Sequence, residues 1–276
     1  IGSGLVGSEM CIRDSMSEKP AGVYTKQVRE MNEAAIRSGK VFGMMFNQRT
    51  NCVYRKMHEM VQSGKYGQIK RVNWIITDWY RTQAYYNSGG WRATWDGEGG
   101  GVLLNQNPHN LDLWQWMCGI PKRVKSQVYY GKHRNIEVED DLYALVEYEN
   151  GATGCYITTV GDAPGTNRLE IDGTNGKIVV ENNELTFYRL RIPEPEFNAT
   201  YKGGLGKPEV WECKIPIKGT YTSHPGIINN FCDCILKGAK PIAPGAEGIR
   251  GLQISNAIHL SSWLNGEWVN IPVDGE

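Results

Sequence analysis

The chain has 276 residues, 40% hydrophobic and 22% charged, an ordinary globular balance and enough length for one large domain or two moderate ones. Thirty Lys and Arg offset thirty Asp and Glu. The footprint that nucleic acid or an anionic lipid surface demands is therefore missing, and a small neutral or mildly polar ligand suits the chain better.

The chain opens with "IGSGLVGSEM", in which Gly2, Gly4 and Gly7 spell G-x-G-x-x-G. That turn holds pyrophosphate only when a buried strand delivers the chain to it and a helix follows. Here Ile1 alone precedes the motif, and "SEMCIRDSMSEKP" follows with no apolar helical stripe, so the glycines are read as a false positive. Residues 1–17 show no hydrophobic period and read as a non-native leader; "SEMCIRDS" resembles translated adapter sequence.

From Tyr24 to Ser38 the pattern predicts a helix, with Val28, Met31 and Ala35 on one stripe, Thr25 as N-cap and Gly39 as stop. "VFGMMF" (Val41 to Phe46) reads as a short strand covered on both faces. A second helix runs from about Val53 to Ser63, ended by Gly64, and "IKRVNWIITDWY" is a long strand candidate. Further strands are expected near 122–130, 142–149, 152–159, 167–172, 176–181 and 184–190. Turn signals at Asn150-Gly151, Asn175-Gly176 and Asn182-Asn183 imply direct hairpins and an antiparallel sheet. Residues 193–208 read as loop, helices follow at roughly 225–237 and 246–264, and a strand from Trp268 to Ile271 closes the chain. No stretch approaches the roughly 18 apolar residues of a membrane span. The seven cysteines are scattered, without zinc-ligand spacing, and read as reduced thiols in a reducing compartment.

Three stretches carry chemistry. Glu18-Lys19-Pro20 stands before the first helix; a lysine before proline is biased to extended backbone, so its ammonium can project into a cleft. In "NQNPHNLDLWQW", Asn107 is a candidate N-cap and Pro108 suits the first turn. His109 in that turn is kept neutral by the helix dipole, and a neutral imidazole can accept a proton as a general base. Asp112, three residues on, shares its face and could orient the ring. Trp79, Tyr80, Tyr85, Tyr86, Trp91 and Trp95 offer flat rings suited to pyranose or cyclitol faces, and Gly99-Gly100-Gly101 suit a tight corner feeding the histidine helix. Each also has a plainer reading: a surface lysine, a histidine satisfied in the core, aromatics packed under helices. His58, His133, His224 and His259 are assigned no role.

In this order and spacing, "EKP", "GGWRATWDGEGGGVLLNQNPHNLDLWQWMCG" (Gly89 to Gly119) and the tail "PIAPGAEGIRGLQISNAIHLSSWLNGEWVNIP" resemble the glucose–fructose oxidoreductase/inositol dehydrogenase (Gfo/Idh/MocA) family. The resemblance implies an α/β remnant of a Rossmann domain followed by an α+β domain with a large open, mostly antiparallel sheet. It divides the chain into a leader (1–17), the remnant of the dinucleotide-binding domain (18–47) and a substrate and oligomerisation domain (48–276), truncated at the N-terminus. It implies Lys19, His109 and Asn105 as catalytic; Asp112, Arg92 and Tyr86 as substrate-binding; and Glu18, Lys19, Pro20, Trp91 and Arg92 as bordering the cofactor. Asn105 departs from the family pattern, which has an aspartate four residues before the histidine. The implied activity is an NAD- or NADP-dependent oxidoreductase of a sugar-like or cyclitol alcohol, with weak or no cofactor binding by this chain. The alternatives are an NAD-dependent glycosidase of the same fold and a non-catalytic ligand-binding or oligomerisation domain. Expected partners are a sugar or polyol and a second copy through the open sheet, with no nucleic acid and no membrane; the expected compartment is cytoplasmic, an export signal upstream being left open.

Overall fold

The computed structural model describes residues 13–273; the glycine motif at Gly2, Gly4 and Gly7 lies outside the described residues, as does Cys11. In chain order the elements are β1 (Ser15–Ser17), α1 (Thr25–Ser38), β2 (Phe42–Met44), α2 (Cys52–Gln62), β3 (Ile69–Ile76), α3 (Gln83–Tyr86), α4 (Pro108–Cys118), β4 (Arg123–Tyr130), β5 (Glu139–Glu147), β6 (Thr153–Thr159), β7 (Asn167–Gly173), β8 (Gly176–Glu181), β9 (Glu184–Leu190), α5 (Glu194–Thr200), β10 (Val210–Lys214), α6 (Ser223–Lys237), α7 (Gly248–Trp263) and β11 (Val269–Asn270). β1 and β2 pair in parallel, Ser15 opposite Phe42 and Ser17 opposite Met44, with α1 between them as a βαβ unit. The stretch read as a leader without hydrophobic period thus contributes a strand at Ser15–Ser17. Ser-Met-Ser has little strand propensity of its own, and alignment on the buried β2 makes it extended. Thr25 begins α1 rather than capping it: its side chain is buried, and Tyr24 takes the cap position without a side-chain hydrogen bond.

The large sheet has nine strands in the order β10-β9-β8-β7-β3-β6-β5-β4-β11. Neighbours are antiparallel except β3 and β6, which run parallel because the chain leaves β3 through α3, α4 and the β4–β5 hairpin before returning. Alternate residues Val72, Trp74 and Ile76 of β3, Leu142, Ala144 and Val146 of β5, and Leu169 and Ile171 of β7 turn to one face and form the main core. Helices α2, α4 and α7 pack on that side, α7 directly over β4. The opposite face is open, exposing Tyr143 and Leu145 by 47% and 51%. The loop expected over 193–208 is partly helical. Glu194 and Glu196 in the first turn and a proline at its start favour α5, and the unexpected β10 then pairs with β9.

One sheet edge is closed by hydroxyls. β11 pairs only with Arg123 and Val124 of β4. Further along, the Ser126 and Val128 N–H groups donate to Ser261 Oγ at 2.9 Å and Ser262 Oγ at 3.0 Å, while Ser126 Oγ donates to the Ile258 carbonyl at 2.6 Å. α7 is thereby fixed to the strand it covers, and the edge is protected from other chains. Ser261→Ala leaves a buried N–H without a partner and should cost about 1–3 kcal/mol, read as a lowered urea-unfolding midpoint; an unchanged midpoint would mean the edge finds another acceptor.

Candidate active site

After β2 the chain makes one 3-10 turn, Asn47–Thr50. From it Arg49, 1% exposed, meets Asp112 of α4, also 1% exposed. Arg49 Nε donates to Asp112 Oδ2 at 2.8 Å and Nη2 to Oδ1 at 2.6 Å, a two-pronged pair. Nη1 donates to the Ile242 carbonyl at 3.1 Å and lies 2.6 Å from Glu247 Oε2. Burial acts to lower the guanidinium's pKa, but Asp112 and Glu247 outweigh it and hold Arg49 above its ordinary value. Asp112, expected to orient His109, is therefore engaged elsewhere. Spacing put it on the histidine's face of α4, but a buried guanidinium is the stronger partner.

Lys19 and His109 come together although ninety residues of chain separate them. Lys19, half-buried at the end of β1, donates from Nζ to the Asn105 carbonyl at 2.8 Å. Burial pulls its pKa down while Glu18 and Glu98 pull it up, and the net is a lowering. His109 sits in the first turn of α4 against Phe46, the two rings T-shaped with centroids 6.4 Å apart. Its pKa is lowered to about 4, by burial first and then by the charges of Lys19 and His224, and its Nδ1 is buried without a hydrogen-bond partner among the described residues. The ring is neutral, as the sequence implied, but burial contributes most.

Asn105 does not orient the imidazole through its side chain. Its Nδ2 donates to Glu98 Oε1 and its Oδ1 accepts from Gln106 Nε2 at 2.9 Å; its backbone carbonyl is what touches Lys19. Asn107 stands at the N-cap position but makes no cap bond, because its amide donates to Thr158 Oγ1 at 2.7 Å on β6. The glycine corner behaves as expected. Gly99 has φ of 77°, and a Cβ on Gly101 would lie 2.0 Å from the Glu139 carbonyl oxygen. Glu139, fully buried, accepts from the Gly101 and Leu103 N–H groups at 2.7 and 2.9 Å and anchors the π-helical turn Val102–Gln106 that leads into α4.

Tyr86 and Arg92 line a separate cleft of about 600 Å³ together with Gln83, Asn87, Asn135 and Glu137; neither Lys19 nor His109 borders it. Arg92 is held over the rings of Trp91 and Tyr85, at 4.4 and 4.8 Å. The two parts of the expected site meet at Glu98. Its Oε1 accepts from Asn105 and lies 3.9 Å from Arg92 Nη1, and its Oε2 accepts from the Ala93 N–H at 2.6 Å. Trp91 is 52% exposed and Glu18 is exposed, its carboxylate accepting from the Lys19 N–H at 3.3 Å. Pro20 lines a small cavity beside α4 together with Phe46, Leu104 and Pro108. Glu98, Glu139 and Arg49 carry no role in the sequence-based expectation, and His224 is assigned none there. Glu98 stands inside the quoted glycine-rich stretch and could have been found there; nothing local marks Glu139 or Arg49.

Residues 54–179 match the family model described as the GFO/IDH/MocA C-terminal domain. The putative oxidoreductase YteT of Bacillus subtilis is 30% identical over 240 residues, covering 62% of this chain and 55% of that protein. D-glucoside 3-dehydrogenase of Escherichia coli is 28% identical over 155 residues, covering 49% of this chain and 42% of the enzyme. The crystal structure of the WlbA dehydrogenase from Chromobacterium violaceum, in complex with NADH and UDP-GlcNAcA, matches with a TM-score of 0.79 at 27% identity, over 99% of this chain and 76% of that one. The chain spans about half the length of these two curated relatives. The class the fold defines is an α+β domain built on a large open, mostly antiparallel sheet. Residues 54–179 thus carry the likeness to the C-terminal domain of the Gfo/Idh/MocA family, and the solved WlbA dehydrogenase shares the fold over nearly the whole chain.

Asp112→Asn keeps the shape of the buried pair but removes its charge, and should destabilise the fold by about 3–5 kcal/mol in urea unfolding; a loss below 1 kcal/mol, on the scale of an exposed pair, would contradict the role given to Arg49. His109 titrates at about 4 in the folded chain against an ordinary 6.5. Between those values the unfolded state binds more protons, so stability falls as pH drops from 6.5 toward 4 and does not respond to this group above that window. His109→Gln should flatten that part of a urea midpoint-against-pH curve; an identical slope would place the titration elsewhere.

Proposed function

We propose that the chain supplies the substrate side of an NAD(P)-dependent oxidoreductase acting on a sugar-like or cyclitol alcohol. The observation that carries this reading is the pairing of a half-buried ammonium with a neutral, partnerless imidazole in one place. One Lys19 donor is fixed on the Asn105 carbonyl, leaving two for a substrate oxygen. A neutral His109 takes the hydroxyl proton as hydride leaves the carbon, and Lys19 stabilises the oxygen while that proton moves. Relatives named D-glucoside 3-dehydrogenase and levoglucosan dehydrogenase support the substrate class.

The residues suit a nicotinamide: the buried, partnerless His109 Nδ1 and the desolvated Lys19 form a corner poor in water, and Trp91 offers an exposed ring beside Arg92. Lys19 and Pro20 would border that ring, with Trp91 and Arg92 reaching this corner only through Glu98; when bound, the ring exchanges the hydride. Neighbours solved with NADH support NAD(H) as the cofactor type. We read the β1–α1–β2 unit, with residues to 47, as the last part of a nucleotide-binding domain, and residues 48–276 as the substrate and oligomerisation domain. The open sheet face carrying Tyr143 and Leu145 is the surface assigned to a second copy.

Lys19→Met and His109→Ala, each in the protein with its cofactor domain, should lower turnover by about 10²–10⁴-fold with a thermal midpoint close to that of the parent, followed by nicotinamide absorbance. Full turnover in both variants would refute the assignment.

A further inference from the structure

The turn Asn47–Thr50 holds two helix starts at once. Arg49 fixes α4 through Asp112, and Phe46 just before the turn packs edge-on to His109. On its other side Asn47 Nδ2 donates to Ser223 Oγ at 3.1 Å and reaches His224 Nδ1 at 3.3 Å, and Thr50 Oγ1 donates to the Ser223 carbonyl at 3.3 Å. Ser223 itself has φ of 49°, a left-handed conformation that a residue other than glycine holds only when its surroundings impose it. The chain is bent here, and the next side chain is His224. That ring is exposed, whereas Asn47 beside it is 6% exposed and keeps an Oδ1 with no partner among the described residues.

The hydrogen bonds select a tautomer. An amide Nδ2 is only a donor, so the ring nitrogen it meets must accept; the Ser223 hydroxyl, 3.1 Å from the same Nδ1, can donate there as well. With Nδ1 accepting, the proton of the neutral ring lies on Nε2, leaving an N–H directed away from the turn.

We propose that His224 is a substrate-contacting residue whose Nε2–H donates to a hydroxyl or ring oxygen of the polyol held between Lys19 and His109. This rests on the oxidoreductase reading and gives the site a third point, supplied by α6. Lys19 and His109 act at the reacting carbon, and His224 fixes which way round the ring is bound. Three points suffice to distinguish one hydroxyl of a cyclic polyol from its neighbours, which two do not.

The test uses isosteres. A glutamine amide reaches the position of Nε2, whereas an asparagine reaches only that of Nδ1. Myo-inositol and methyl β-D-glucopyranoside are titrated into the full chain, and binding is read from the imidazole NMR signals of His109. The parent protein should also show the His224 signals of the Nε2–H tautomer and move them together with those of His109, while His58 and His133 stay still. His224→Asn should weaken binding roughly tenfold, the effect of one lost hydrogen bond, and His224→Gln should bind within about threefold of the parent, with thermal midpoints unchanged in both. Equal binding by both variants, or loss in the glutamine variant alone, overturns the contact and leaves a structural lock on α6. His109 signals that shift with a probe while those of His224 do not also overturn it, and leave the oxidoreductase reading standing. If neither probe moves His109, that reading falls and this one with it.

Discussion

A guanidinium and a carboxylate almost sealed from water tie the end of the βαβ unit to the helix that carries His109. Burying two charges carries a heavy desolvation cost, repaid only when nearly every donor and lone pair is used. Arg49 meets that condition by dividing its donors between Asp112, Glu247 and the Ile242 carbonyl. The pair therefore acts less as a source of net stability than as a register pin. It sets how far β2 runs before the chain turns, where α4 begins, and how the segment leading into α7 lies against both.

The local charges follow from that register. Lys19 comes from one end of the chain, Glu98 from the glycine-rich loop and His109 from α4. A cation and a basic ring are thus set side by side with the balancing carboxylate one residue removed. The resemblance implies an acid where this chain has Asn105, and here the amide donates to Glu98. Negative charge is present in the neighbourhood but does not lie against the imidazole, so His109 stays neutral rather than being stabilised as imidazolium. Glu98 also joins this corner to the cleft lined by Arg92 and Tyr86, so the two halves of the site share one anion.

Backbone geometry does the rest of the positioning. The Asn105 carbonyl can face Lys19 because the turn before α4 is π-helical, and that turn is held by Glu139 from the first residue of β5. Gly101 is required there because the Glu139 backbone lies where a Cβ would go. A sheet strand thereby sets the position of a carbonyl that orients an ammonium from another layer.

Much of this was legible in the chain itself. Periodicity and turn dipeptides located the hairpin strands from Arg123 to Leu190 to within about three residues at either end, since alternation and Asn-Gly corners are local properties. The neutral histidine in a helix first turn, the glycine corner and the lysine before proline were likewise readable, because each depends on neighbours in sequence. Tertiary structure alone decided the rest. Ser15–Ser17 is a strand because β2 lies beside it; Asp112 serves Arg49 rather than His109 because burial favours the full charge pair; Asn107 bonds to β6 instead of capping its helix. His224 is held as it is because Asn47, 177 residues earlier, meets its ring and, with Thr50, binds the neighbouring Ser223. Local spacing states which groups a residue could meet; which of them it does meet is a competition between distant partners, settled by desolvation once the chain has closed.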